Sequence, residues 1–186
     1  MEQRLWMILQ LFGGAALFLY SMDTLTDALQ QAAGDTLRQA LARLTAHPLA
    51  GVLTGAAVTA VVQSSSATIA VLQRAAQQAG PDGIHSVLGL AGALPILLGD
   101  NIGTTITAVL AAVGQPTDAR RTAAAHCCFN LSGSVVCLLA LPWMTRLVEA
   151  VSPKGPELEV LARQIANAHT LFNLICTLVW LPLTPV

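Results

Sequence analysis

Apolar residues run almost unbroken through five stretches of the chain, and polar residues cut into the middle of two of them. Leu5–Met22 is apolar with Gln10 inside it, and it predicts a spanning helix over 5–22. Residues 23–44 change character: Leu25, Ala28, Leu29, Ala32, Ala33, Leu37, Leu41 and Leu44 recur at helical spacing between Asp23, Asp27, Asp35, Arg38 and Arg43. That amphipathic pattern predicts an interfacial helix with a break at Gly34. Thr45-Ala46-His47-Pro48 then reads as a helix start.

Over 48–78 the apolar run is divided by Gln63-Ser64-Ser65-Ser66-Ala67-Thr68 into pieces of 14 and about 10 residues. Neither piece crosses a hydrocarbon core about 30 Å thick at roughly 1.5 Å per residue, so an interrupted segment, a re-entrant hairpin or a broken helix, is expected. Gly51 and Gly55 offer a flat face to a neighbouring helix. After a turn at Gly80-Pro81-Asp82-Gly83, the run 86–114 is cut by Gly99-Asp100-Asn101-Ile102-Gly103-Thr104-Thr105, which predicts a broken helix. Spanning helices over 122–145 and 164–183 follow, joined by a polar connector from Arg146 to Arg163.

Two internal similarities stand out. Gln63–Ala67 aligns with Asn101–Thr105 at an offset of 38, and Ala125-His126-Cys127-Cys128-Phe129-Asn130-Leu131 aligns with Ala168-His169-Thr170-Leu171-Phe172-Asn173-Leu174 at an offset of 43. His126 and Asn130, like His169 and Asn173, share a helix face, and interhelical hydrogen bonding is expected of them. Metal ligation by the two histidines lacks a supporting carboxylate or cysteine.

Composition agrees with the pattern. Of 186 residues, 54% are hydrophobic and 10% charged, with a mean hydropathy of +0.64, against roughly 25% charged in a soluble domain. The fold class is therefore an all-α integral membrane protein, a helical bundle with re-entrant or broken helices. A net charge of −1 gives no basic face for nucleic acid. No small-residue cleavage site follows the first apolar run, so a retained helix is expected there rather than a signal peptide. Cys127, Cys128, Cys137 and Cys176 are read as small buried apolar residues. If the first interrupted run re-enters without crossing, Arg38, Arg43, Arg74, Arg146, Lys154 and Arg163 share the cytoplasmic side, opposite Arg4, Arg120 and Arg121.

A polar cluster inside an apolar run must be satisfied within the protein or serve a polar ligand. Broken segments free backbone N–H groups at one half-helix start and carbonyls at the other half-helix end. N–H groups and hydroxyls suit an oxyanion; carbonyls, hydroxyl oxygens and the Asp100 carboxylate suit a small hard cation such as sodium. Asp100, ionisable within a membrane segment, is a candidate functional residue by default.

Gln63-Ser64-Ser65-Ser66 followed by Gly99-x-Asn101-Ile102-Gly103-Thr104-Thr105 resembles the sodium/phosphate cotransporter family. Phe18-Leu19-Tyr20, Pro48-Leu49-Ala50-Gly51, Arg120-Arg121 and both His-x-x-Phe-Asn elements agree. The resemblance implies sodium-coupled import of inorganic phosphate by two inverted repeats, each with its own Q-S-S-S. With the polar residues at the centres of the two apolar runs, phosphate is expected at Gln63, Ser64, Ser65, Ser66, Thr68, Asn101, Thr104 and Thr105, and sodium at Gln63, Ser65, Asp100, Asn101 and Thr104, with Asn130 and Asn173 in support. Asp100 replaces a commonly small residue, and one Q-S-S-S stands where two are implied. The chain is thus expected to be a half-size protein, pairing as a homodimer in a bacterial cytoplasmic membrane, or a piece of a longer transporter. A membrane scaffold, or a symporter of another small anion, is the alternative. An enzyme lacks support, since the serines have no G-x-S-x-G elbow.

Overall fold

The computed structural model describes residues 3–21, 24, 28 and 47–183. Helix α1, Gln3–Ser21, belongs to a unit of its own. Just beyond it, the Thr24 hydroxyl donates to the Tyr20 carbonyl (2.9 Å). Apart from residues 24 and 28, the interfacial segment expected over 23–44 lies outside the described residues.

The second unit is built from α2 (Pro48–Val62), α3 (Ser65–Ala76), α4 (Gly89–Gly103), α5 (Thr105–Ala112), α6 (Thr117–Leu139), α7 (Leu141–Val151) and α8 (Glu157–Trp180), with a 3-10 turn at Leu181–Leu183. Among the described residues, Gln3–Ser21, Gly89–Ala112, Thr117–Leu139 and Glu157–Leu183 are long and apolar enough to cross a membrane. The protein is an all-α integral membrane protein.

Helix α2 starts as its sequence dictates, with Pro48 in the first turn and the His47 ring Nδ1 accepting from the Leu49 N–H (3.3 Å). It ends abruptly. Gln63 takes a left-handed conformation (φ 55°, ψ 26°), Ser64 is extended (φ −143°, ψ 105°), and α3 begins at once. A left-handed non-glycine residue costs about 1 kcal/mol, which the surrounding contacts must offset. On a straight helix the nine residues from Thr59 to Thr68 would rise roughly 13 Å. Their hydroxyls instead lie 3.1 Å apart, so the chain doubles back at Gln63-Ser64.

Helix α4 occupies the middle of this unit, packing against α2, α3, α6, α7 and α8. Every residue from Ala93 to Asn101 is buried, and the core continues through Leu72 and Ala76 of α3, Val148 of α7, and Leu161, Ile165 and Phe172 of α8. The α2–α4 contact is made by backbone. A Cβ added at Gly55 would collide with the Ile96 carbonyl and come within 2.9 Å of the Asp100 nitrogen; one at Gly103 would lie 2.5 Å from the Ala56 carbonyl. Gly99 faces the Val52 carbonyl just as closely. The expected flat face of Gly51 and Gly55 thus meets a second small-residue face, Gly99 and Gly103, on the partner helix.

The second interrupted run behaves differently from the expected broken helix. Thr104 keeps helical angles (φ −57°, ψ −27°), and its N–H bonds to the Asp100 carbonyl (2.9 Å). The hydroxyls of Thr104, Thr105 and Thr107 donate to the carbonyls of Asp100, Ile102 and Thr104 at 2.9, 2.7 and 2.8 Å. Polar side chains here are satisfied along the helix itself, so α4 passes into α5 with only a one-residue irregularity. Farther on, α6 begins at Thr117 and stops at Leu139, α7 carries the chain through Arg146 to Val151, and α8 starts at Glu157, so helix replaces much of the expected polar connector. Cys137 and Cys176 are buried as read from the sequence; Cys127 is half-buried and Cys128 exposed, since neighbours on a helix point about 100° apart.

Between α3 and α4 a tight loop is organised by Asp82. Its Oδ1 accepts from the backbone N–H groups of Ile84 and His85 (both 3.0 Å), and its Oδ2 lies 2.6 Å from the His85 ring Nδ1. The His85 ring hydrogen bond, joined by these N–H groups, holds the Asp82 carboxyl below the usual carboxylate range, and the same ring hydrogen bond raises His85.

Two outcomes follow from this architecture. Gly55→Val should lower the Tm of the detergent-solubilised protein, because about 2 kcal/mol or more of overpacking would fall on the α2–α4 contact; an unchanged Tm would contradict the close approach. The Asp82–His85 pair should be fully formed between pH 3.8 and 6.5, the ordinary values of the two groups. Its contribution is lost on acidification through the depressed Asp82 value and on alkalisation through the raised His85 value. NMR titration of the His85 ring should give a midpoint above 6.5 that falls in Asp82→Asn.

Candidate functional site

Where α2 doubles back and α4 crosses it, three helices contribute polar side chains to one buried point. The Thr59 hydroxyl of α2 lies 2.7 Å from Asp100 Oδ1 of α4 and 3.1 Å from the Thr68 hydroxyl of α3. Thr68 in turn lies 3.1 Å from the Ser64 carbonyl, on the break itself. Thr59 and Asp100 are 0% exposed; Thr68 and Asn101 are 4% exposed. Burial at this depth makes every unpaired polar atom costly. Two such atoms remain among the described residues: Asp100 Oδ2 and Asn101 Nδ2. One is an acceptor and the other a donor.

The structure brings the two predicted halves together only in part. Asp100 reaches Thr68 through Thr59, so the α2–α3 break and the Gly99–Thr105 stretch do form one constellation. Ser64 caps α3, its Oγ accepting from the Ala67 N–H (3.3 Å). Ser65 is half-buried, whereas Gln63 and Ser66 are exposed on this chain. Thr104 and Thr105 are half-buried and commit their hydroxyl protons to carbonyls of their own helix, so what they present outward is oxygen lone pairs.

Asn130 and Asn173 act locally. The Asn130 Nδ2 donates to the His126 carbonyl (3.1 Å), and the Asn173 Nδ2 to the His169 carbonyl (2.9 Å). The repeated His-x-x-Phe-Asn elements therefore repeat a bond within a helix, not the interhelical bond expected from their shared face: the i to i+4 spacing puts the amide within reach of its own helix's carbonyl. The link between α6 and α4 is made instead by the Ser134 hydroxyl, which donates to the Leu98 carbonyl (3.0 Å).

Thr59 was not among the residues predicted from sequence. It sits in an apolar run where threonine passes for an apolar residue. One signal pointed to it, since Gly51, Gly55 and Thr59 fall four apart on the buried face of α2. A hydroxyl continuing a glycine face enters the helix contact rather than the lipid.

Residues 17–151 match the model of the Na+/Pi-cotransporter family. Among curated relatives, the uncharacterized protein YqeW of Bacillus subtilis (strain 168) is 39% identical over 132 residues, covering 71% of this chain and 39% of the relative. The sodium-dependent phosphate transport protein 2A of Oryctolagus cuniculus is 35% identical over 146 residues (73% of this chain, 21% of the relative). The human sodium-dependent phosphate transport protein 2B is 31% identical over 153 residues (78% of this chain, 21% of the relative). The chain thus spans between about a fifth and two fifths of the length of these relatives. No solved structure matches it. With a family match running from the end of α1 through α7 and over the whole of the buried Thr59–Thr68–Asp100 constellation, the chain belongs to the Na+/Pi-cotransporter family.

Proposed function

We propose that this protein carries inorganic phosphate across a membrane together with sodium, at a site formed by the α2–α3 break and the α4–α5 junction. The observation that carries the reading is the pair of unpartnered buried atoms, one acceptor on Asp100 and one donor on Asn101. A cation answers the first and an oxyanion the second. Family membership, and the names of the mammalian relatives, support sodium and phosphate as the two ions.

Within this reading the groups divide by chemistry. Sodium, a hard cation, takes oxygen: the Asp100 carboxylate, the Asn101 and Gln63 side-chain carbonyls, and the lone pairs of Ser65 and Thr104. Thr105, whose hydroxyl proton is spent, joins the acceptor side. Phosphate takes donors: the Ser65 and Ser66 backbone N–H groups and hydroxyls at the start of α3, the amides of Gln63 and Asn101, and the Ser64 hydroxyl when it is released from its cap. Thr68 lies behind the serines and holds the start of α3 against α2. Asn130 and Asn173 stand as supporting residues that shape their own helices.

The exposure of Gln63 and Ser66 supports an assembly in which a second copy of the Q-S-S-S stretch covers them, as a homodimer. An amide and a hydroxyl left facing hydrocarbon would each be costly. A bacterial cytoplasmic membrane energised by a sodium gradient is the setting that fits such a cycle.

Purified protein in proteoliposomes should take up phosphate when an inward sodium gradient is imposed, and not when potassium replaces sodium. Ser65→Ala with Asp100→Asn should reduce that uptake at least about tenfold, the loss of charge-assisted contacts worth about 1.5–3 kcal/mol each. Undiminished uptake would refute the site assignment. A homodimer should be seen as co-purification of two differently tagged copies from one membrane; tags that never co-purify would refute it.

A further inference from the structure

Thr59 belongs to none of the polar stretches that point to the site, yet its hydroxyl lies within hydrogen-bond distance of Thr68 on one half and Asp100 on the other. Its position is fixed from two directions. The glycine contact locks α2 onto α4, and a Cβ at Gly103 would lie 2.8 Å from the Thr59 Cβ, so the absence of a side chain at Gly103 gives Thr59 its place. A hydroxyl carries a single proton. At 2.7 Å from a carboxylate oxygen and 3.1 Å from another hydroxyl, that proton goes to Asp100 Oδ1, the shorter and charge-assisted bond. The Thr59 oxygen is then left as an acceptor facing Thr68, whose own single proton the Ser64 carbonyl, also 3.1 Å away, competes for.

The consequence falls on the other carboxylate oxygen. With Oδ1 held by Thr59, the carboxylate plane is fixed and Oδ2 stays buried without a partner. A carboxylate free to turn could bring either oxygen toward Thr59. We infer that Thr59 is a positioning residue for the coupling cation: by holding Asp100 through Oδ1, it keeps Oδ2 open to sodium and sets the sodium affinity of the site. The inference rests on the sodium-coupled reading above. Thr59 itself is fully buried with its hydroxyl on Asp100 Oδ1, and it acts through Asp100.

The test compares Thr59→Val, which keeps the branched shape and removes the hydroxyl, with Thr59→Ser, which keeps the hydroxyl. Two sodium titrations are read on the full chain: the sodium-dependent rise in Tm of the detergent-solubilised protein, with potassium as control, and the sodium dependence of phosphate uptake in proteoliposomes. Thr59→Val should raise the half-saturating sodium concentration about tenfold in both, as expected for one lost hydrogen bond to a charged group. Half-saturating phosphate at saturating sodium should stay within about twofold, and Thr59→Ser should keep sodium half-saturation within about threefold of the parent. In an Asp100→Asn background Thr59→Val should add less than about twofold, because the coupled pair is already broken. Unchanged sodium titrations in Thr59→Val, equal shifts in the valine and serine variants, or full additivity with Asp100→Asn would overturn the inference. Should Thr59→Val not give a monodisperse protein, Thr59→Ala is set against Thr59→Ser on the same titrations and judged by the same outcomes. If the parent protein shows no sodium dependence in either titration, the transport reading itself has failed, a result distinct from every variant outcome.

Discussion

The backbones of α2 and α4 touch, and they do so because both helices put glycines at the contact: Gly51 and Gly55 meet Pro95, Ile96 and the Asp100 nitrogen, and Gly99 and Gly103 meet Val52, Ala56 and Thr59. Between membrane helices the lipid is as apolar as a leucine side chain, so burial alone gives little reason to associate. Close approach supplies what burial does not: dense packing contacts and Cα–H groups set against carbonyl oxygens such as those of Ile96, Val52 and Ala56. The contact also fixes register. A slip of one residue on either helix would put a side chain where no space exists.

That register decides what the polar residues can do. Thr59 lies one turn beyond Gly55, and Asp100 lies beside Gly99, so the contact that excludes side chains at the glycines delivers a hydroxyl to a carboxylate at its end. Thr68 arrives from the other direction, carried back by the left-handed turn at Gln63. Strain at Gln63 and the burial of Asp100 are both unfavourable in isolation; they persist where packing over-determines the geometry. A buried acceptor and a buried donor left without partners is the kind of incomplete satisfaction that a folded protein retains for a ligand.

Much of this was legible along the chain. The apolar runs gave the helices, His47-Pro48 the start of α2, and Gln63-Ser64 the point where α2 must stop. Polarity misled at the second interruption. Thr104, Thr105 and Thr107 carry hydroxyls that can bond the preceding turn, and they leave the helix intact, whereas Gln63-Ser64-Ser65-Ser66 ends one helix and caps the next. Composition does not separate these cases, because both stretches are short, polar and set among apolar residues; what separates them is whether the side chains bond backward along a helix or forward as a cap. The same backward bonding takes Asn130 and Asn173 out of the interhelical role that their spacing suggested.

By itself the sequence determined that the protein lives in a membrane, is built of helices, interrupts an apolar run at Gln63–Ser66 and buries a carboxylate at Asp100, since each of these follows from local composition and periodicity. Only the tertiary structure decided which groups meet. Thr59 meets Asp100 and Thr68 because a glycine face on a distant helix left room for it, and Asp100 is left with one oxygen bonded to Thr59 and the other buried without a partner. Neither is a property of any local stretch: both arise from residues 41 apart along the chain, on helices brought to backbone contact by the absence of side chains.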